Sequence, residues 1–377
     1  MIYLAALLTL GLTLYLLMFR GNEVIQSGQK VHLATLFAIL FTTGLDGGLL
    51  LLPLLDFKHH LIASRYPEYL FAHPIAIEFG FWGGWSWAVY FVTACYFALF
   101  EPKLKLFKRP LLRWLNSIVI ILTCAFSAWL LIGTLKLYLP PLSESWYRPL
   151  TYTIVVLAVA MATFSSSRLH YIKNLSLLSS VMFLALIAAV FIDGGSTIST
   201  FTNNTIFASE YLQNIDKFVF PINAYHEFYQ FWWMAWSVMI GQFVAKFVAG
   251  LRVYQLFLLV LILPSAPILI WFVVLYQSHA SGSALAIGTN LSIAVLGVLF
   301  VVNSMDSLIR VYSYNLNLTR TKLGIGKYFV LHFALLTTLV VIYDFKMLNI
   351  NLVGSIVTGL WLLATVNTVY RLRRSTL

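Results

Sequence analysis

Charge is what this sequence has least of. Of its 377 residues, 10% are charged, less than half of the roughly 25% found in an ordinary water-soluble domain. That scarcity excludes a soluble globular fold. The 60% hydrophobic content excludes disorder, which needs low hydrophobicity and high charge. Cysteine is also scarce. Cys95 and Cys124 both sit in apolar runs, which excludes a disulfide framework. The reading that remains is an all-α polytopic membrane protein.

Eleven apolar segments are long enough to cross a bilayer: about 2–19, 32–54, 75–99, 114–138, 149–167, 175–193, 228–249, 254–277, 285–309, 328–345 and 351–370. The first lacks the basic start and small-residue cleavage site of a signal peptide, so it is read as a span. Basic residues set the orientation. With the N-terminus outside and the C-terminus in the cytoplasm, 18 of the 24 Lys and Arg fall on the inner side. The net charge of +11 is thus mostly membrane topology, and no nucleic-acid partner is expected.

Two spans carry polar interruptions. In the second, Thr42-Thr43-Gly44-Leu45-Asp46-Gly47-Gly48 interrupts an apolar run. Three glycines in five residues weaken a helix, and an ionisable residue at mid-depth is expensive unless it has a function. Gly44, Gly47 and Gly48 therefore predict a broken helix lining a transport site. The alternative is a close helix contact with Asp46 paired to a Lys or Asn. In the ninth span, Phe300 to Ser307 includes Asn303, Ser304, Asp306 and Ser307. These supply the oxygen ligands that hard cations prefer, and a second break is expected there. Interhelical hydrogen bonding is the equal alternative.

Aromatic residues are plentiful. Six of the eleven tryptophans lie in two short segments, Phe81 to Tyr90 and Phe228 to Trp236. Interfacial belts account for many membrane tryptophans. Indole faces also attract cations, and several around one point make a cage for a quaternary ammonium.

Taken in order, these pieces resemble the betaine/carnitine/choline transporter family. Phe228-Tyr229-Gln230-Phe231-Trp232-Trp233-Met234-Ala235-Trp236-Ser237 is similar to that family's F-Y-W-A-W-W-I-S-W-S helix. Trp82, Trp87 and Tyr90 match its W-x4-W-x2-Y. Gly44 to Gly48 stand where the family has G-M-G-I-G, and Asn303 to Ser307 resemble its T-S-A-D-S. Ile172-Lys173-Asn174-Leu175-Ser176 is similar to its G-I-K-x-L-S turn.

The resemblance implies a LeuT-like inverted repeat of five plus five helices with one peripheral helix. Here residues 1–31 would be the peripheral helix and a cytoplasmic loop, 32–193 the first repeat, 194–227 an outer loop, and 228–377 the second repeat. It also implies alternating access, a homotrimer, a bacterial cytoplasmic membrane, and absence of the family's usual first span. The substrate would be a choline-, betaine- or carnitine-like solute. Trp82, Trp87, Tyr90 and Trp233 would form the aromatic box, with Trp232 and Trp236 along the path. A Na⁺ site would use the Asn303 and Ser304 side chains with carbonyls near Thr42, Leu45 and Phe300.

Departures accompany the match. Asn303 replaces a Thr and Gln230 a Trp. The family's A-R-I-S-R-G-R reads Ala245-Lys246-Phe247-Val248-Ala249-Gly250-Leu251, and its G-V-x-E-P reads Leu52-Pro53-Leu54-Leu55-Asp56-Phe57. Asp46 can pair with a cationic head group or carry a coupling proton. These changes leave two functions from different classes: a Na⁺- or H⁺-coupled transporter of an ammonium solute, and a transport-inactive relative serving as a membrane subunit or sensor.

Other polar residues give weaker signals. Glu78, at the outer start of the third span, is read as a gate or a helix-start carboxylate. His59 and His60 are read as solvated loop histidines, with metal binding the lesser reading. Phe207, Tyr211, Leu212, Ile215 and Phe218 predict an amphipathic surface helix in the outer loop. No catalytic triad, metal cluster or phosphate loop stands out, so no enzyme and no cofactor beyond Na⁺ is expected.

Overall fold

The computed structural model describes residues 1–32, 36, 40, 47–61, 66–139, 144–167, 169–282 and 285–375. The chain is an all-α polytopic membrane protein. Among the described residues there is no strand, only two isolated bridges, Val24 to Arg252 and Lys30 to Val248. Helices are the expected answer for an apolar chain, because they satisfy every backbone group within one segment.

In chain order the principal helices are α1 (Ile2–Arg20), α2 (Gly47–Leu51), α3 (Pro53–His60), α4 (Pro74–Trp82), α5 (Ala88–Cys95), α6 (Pro110–Thr134), α7 (Glu144–Ser166) and α8 (Leu169–Asp193). Three short helices follow: α9 (Ile198–Phe207), α10 (Ser209–Gln213) and α11 (Ile215–Val219). The second half holds α12 (Ala224–Val244), α13 (Val253–Ala280), α14 (Ile287–Asn315), α15 (Arg320–Asp344) and α16 (Ile350–Ser375). Proline occupies the first turn of α3, α4 and α6, where its missing N–H costs nothing.

Eight helices among the described residues are long and apolar enough to cross a membrane, and a ninth is counted if Leu177–Asp193 and Ile198–Gln213, bent by 111°, form one span. The sequence predicts eleven. The expected span 32–54 falls largely outside the described residues. The other difference is α12, whose indole, phenol and amide side chains make it less apolar than its neighbours.

The halves interlock. α14 packs along α6, α7 and α2, while α12 lies between α5 and α16. Close approach is built from small residues. At Gly241 of α12 an added Cβ would lie 2.5–2.8 Å from Thr93 of α5, its backbone included. Small-residue contacts of this kind let helices pack in lipid, where no hydrophobic drive separates helix from solvent.

Two expectations about the helices are corrected. α14 runs unbroken from Ile287 to Asn315, so no break occurs at Phe300 to Ser307. Side-chain oxygens there do not by themselves open an otherwise apolar helix. The outer loop is not one surface helix but three short ones, and Tyr211 and Phe218 turn inward to 2% exposure each.

Candidate functional site

The third expected span is where the chain does break. α4 ends at Trp82, Gly83 is extended, Gly84 adopts φ +54°, and a 3-10 turn over Gly84–Trp87 leads into α5. Only glycine takes that positive φ at low cost. A break inside a membrane must have its freed backbone groups satisfied by protein. Here side chains do so. The Phe81 carbonyl accepts the Trp233 indole N–H at 2.7 Å, and the Trp82 carbonyl accepts the Trp87 indole N–H at 2.9 Å. Gly84 N–H donates to Ser265 Oγ at 2.8 Å, and Trp85 N–H donates to the Tyr211 hydroxyl at 2.6 Å. Three separate parts of the chain, together with Trp87 of the turn itself, thus hold one two-glycine interruption.

The break assembles the expected aromatic set. Trp233 lies edge-on to Trp82 (ring centroids 5.5 Å apart) and to Tyr90 (5.5 Å), and tilted at 6.1 Å to Trp87. Trp87 lies edge-on to Tyr90 at 5.2 Å. All four are buried. Trp232 joins Trp82 at 5.2 Å and stacks on Tyr229 at 5.9 Å. Trp236 is buried without a ring contact to the four. The rings touch one another, so a cation can face them only after they part. Beside Phe81 and Trp233 a cavity of about 50 Å³ is lined by Trp85, Ser86, His226 and Gln230.

Gly48 explains part of the ring packing. A Cβ added there would lie 2.3 Å from Trp232 and 3.0 Å from Trp82, so both indoles use the space that glycine leaves. Gly47 does the same one residue earlier against the Gly297 carbonyl and Val301 of α14. Thr42, Gly44, Leu45 and Asp46 lie outside the described residues. Asn303 and Ser304 are buried in α14, and the Phe300 carbonyl sits within that helix's own ladder.

A polar cluster adjoins the rings. Asp56 accepts the hydroxyls of Tyr225 and Tyr229, each at 2.6 Å, one on each carboxyl oxygen. Glu78 contacts His60 across 3.0 Å between Oε2 and Nε2. Both carboxyls are 0% exposed. This corrects one reading, since His60 is buried rather than solvated; Glu78, read as a gate or a helix-start carboxylate, is buried and partners it. Tyr229 connects the cluster to the box, since its ring also meets Trp82 edge-on at 5.3 Å. The sequence sets Asp56 four residues from His60 and Tyr225 four from Tyr229, but nothing local joins these pairs to each other or to Glu78, because the members come from three helices.

Farther along α14, Asp306 forms an ion pair with Arg310 at 2.6 Å and accepts the Ser165 hydroxyl. Arg310 also donates to the Ser165 carbonyl at 2.8 Å. The motif residue Asp306 therefore clamps α14 to α7.

Part of the chain is similar in sequence to known proteins. Residues 143–280 match the family model described as BCCT, betaine/carnitine/choline family transporter. The matched segment includes Trp232, Trp233 and Trp236. A glycine betaine transporter of Acinetobacter baylyi (strain ATCC 33305 / BD413 / ADP1) is 24% identical over 273 residues, covering 62% of this chain and 41% of that protein. The glycine betaine transporter OpuD of Bacillus subtilis (strain 168) is 24% identical over 273 residues, covering 63% of this chain and 53% of that protein. The chain spans about half the length of these curated relatives.

Proposed function

We propose that the chain is a member of the betaine/carnitine/choline transporter family and carries a small quaternary-ammonium or related zwitterionic solute across a membrane by alternating access. One observation carries the reading. Trp82, Trp87, Tyr90 and Trp233, from helices of different halves, meet around the break at Gly83–Gly84. Ring faces attract a trimethylammonium group, and each contact contributes about 0.5–2 kcal/mol. The rings close on one another, so solute entry is coupled to their separation. That coupling is the kind of differential contact an alternating carrier needs.

The solute is of the choline, glycine betaine or carnitine type; both relatives are named as glycine betaine transporters. The driving ion is a cation. It is either Na⁺ or H⁺; a Na⁺ site would draw on the Asn303 and Ser304 side-chain oxygens, with carbonyls near Thr42, Leu45 and Phe300. Homotrimeric assembly, a bacterial inner membrane and a cytoplasmic C-terminus belong to the same proposal.

The test is uptake of radiolabelled choline, glycine betaine and carnitine into proteoliposomes, alongside tryptophan fluorescence. Saturable uptake and quenching of at least one solute, both weakened by Trp233→Leu, is the expected result. A flat response to all three in both measurements overturns the reading and favours a non-transporting subunit.

A further inference from the structure

We propose that Asp56 and Glu78 form a buried proton-binding site that takes up one proton and releases it during the transport cycle. The proposal rests on the transporter reading above and gives it a coupling ion.

The geometry is specific. Asp56 on α3 and Glu78 on α4 sit side by side, and neither reaches solvent. Among the described residues, the basic side chain that faces them is His60, itself buried. Lys58, on the same helix, is exposed. Farther out, His59 meets Tyr225 edge-on at 6.4 Å, His279 of α13 stacks on Phe57 at 6.4 Å, and Glu68 accepts from Asn223; the groups that touch Asp56 from α12 are uncharged. Tyr225 and Tyr229 of α12 donate to Asp56. The Tyr69 ring meets His60 edge-on at 4.9 Å, while its hydroxyl donates to Asn223. The Tyr138 hydroxyl donates to the carbonyls of Leu50 and Leu51. His226 stacks on Phe81. Arg65 lies outside the described residues.

Two ionised carboxylates with one histidine between them leave a net negative charge in a site that water does not reach. Such charges are tolerated in proteins only when paired or neutralised. A proton is the smallest group that removes one of these charges, and it leaves the other carboxylate to pair with His60.

Unfinished hydrogen bonding points the same way. The Glu78 carboxyl lies near the Asp56 carboxyl and the indole of Trp82, yet neither its Oε1 nor Trp82 Nε1 makes a hydrogen bond of normal geometry. His60 Nδ1 has no partner either. A buried indole donor thus lies beside a carboxyl group that a proton can occupy or leave. The 3.0 Å contact between His60 and Glu78 needs one hydrogen, supplied by either side. A metal ion is disfavoured, because tyrosine hydrogens already cap both Asp56 oxygens. Among the described residues no group of three or more His, Cys, Asp and Glu side chains could hold a metal.

The link to the solute runs through Tyr229. It binds Asp56 with its hydroxyl and Trp82 with its ring. When the rings part, Tyr229 moves with Trp82 and its hydrogen bond to Asp56 changes. Uptake converts a carboxylate and a proton into a carboxylic acid. Release on the other side reverses it, so no charge or atom is unaccounted for.

Two measurements test this. In proteoliposomes with solute inside and outside, an imposed pH gradient drives accumulation; one proton per solute corresponds to about tenfold per pH unit. The expected result is a pH-driven gain in wild type that falls to about onefold in Asp56→Asn and in Glu78→Gln. A wild type indifferent to the pH gradient but driven by Na⁺ overturns the proposal while leaving the transporter reading intact. So does a gain that survives in both variants.

The second measurement needs no solute. Infrared difference spectra between acidic and alkaline buffer record protonation of buried carboxyls. A carboxylic C=O band lost in both variants supports the site, and its persistence in both overturns it. If either variant misfolds, Tyr229→Phe provides the check: it removes one donor from Asp56 and shifts that band. An infrared result without uptake of any solute separates failure of the transporter reading from failure of the proton site.

Discussion

The indole N–H of Trp233 donates to the carbonyl of Phe81, 2.7 Å away and 152 positions earlier in the chain. That one bond fastens α12 to the last turn of α4, just before the chain breaks. Trp233 is therefore both a wall of the aromatic box and a structural tie, and the two roles separate by substitution. Trp233→Phe keeps a ring but leaves a buried carbonyl without its donor, a loss of about 1–3 kcal/mol. Its melting temperature in detergent falls while solute binding weakens little. Trp233→Leu also removes the cation–π face, which lowers affinity roughly 2- to 30-fold in a fluorescence titration. Equal affinity loss in the two variants would show that the ring face is not what binds.

Gly48 gives a steric prediction. A methyl group there meets Trp232 at 2.3 Å and Trp82 at 3.0 Å, so at least one indole must shift. Gly48→Ala is expected to reduce uptake at least several-fold, because overpacking costs about 1–3 kcal/mol. Gly11→Ala is the matched control. Gly11 is exposed and an added Cβ there has nothing within 4 Å. Full uptake by Gly48→Ala would mean that the ring positions are soft.

Fold class and the aromatic residues were legible in the sequence because both rest on composition and local spacing. The scarcity of charge forces helices, and Trp82, Trp87 and Tyr90 recur at a recognisable interval. The break was not found where it occurs. Helical-wheel spacing assumes a continuous helix through Trp82 and Tyr90, and Gly83-Gly84 was the overlooked signal that it stops. The second break, expected at Asn303–Ser304, does not occur, since buried Ser and Asn can remain within an intact helix. His60 shows a different limit. Its burial follows from Glu78, eighteen positions away, and from Tyr69 packed against its ring. Tyr211 is more remote still, reaching Trp85 across 126 positions.

The two hydrogen bonds on the broken backbone predict a coupled pair. Tyr211→Phe removes the acceptor of Trp85 N–H, and Ser265→Ala removes the acceptor of Gly84 N–H. Each leaves a half-buried donor without its acceptor, at a cost of about 1 kcal/mol. The donors belong to adjacent residues of one turn, so the double variant should depart from additivity by about 0.5 kcal/mol or more. Thermal unfolding of the four proteins of the cycle measures this. Strict additivity would mean that the turn is held independently at each end.

The clamp between α14 and α7 predicts an asymmetry. Asp306 is fully buried, and Arg310 binds it at 2.6 Å while also donating to the Ser165 carbonyl. Arg310→Met leaves the carboxylate buried with the Ser165 hydroxyl alone, a loss of about 3–5 kcal/mol for an uncompensated buried charge. Asp306→Asn is milder, because the amide oxygen still accepts from Arg310 and the guanidinium keeps its Ser165 carbonyl and partial contact with solvent. Combining the two substitutions removes both charges, so the double variant should be more stable than Arg310→Met alone. Unfolding temperatures in one detergent decide the order. If Arg310→Met proves no worse than Asp306→Asn, the buried carboxylate is not the costly member, and the clamp acts through the carbonyl contact instead.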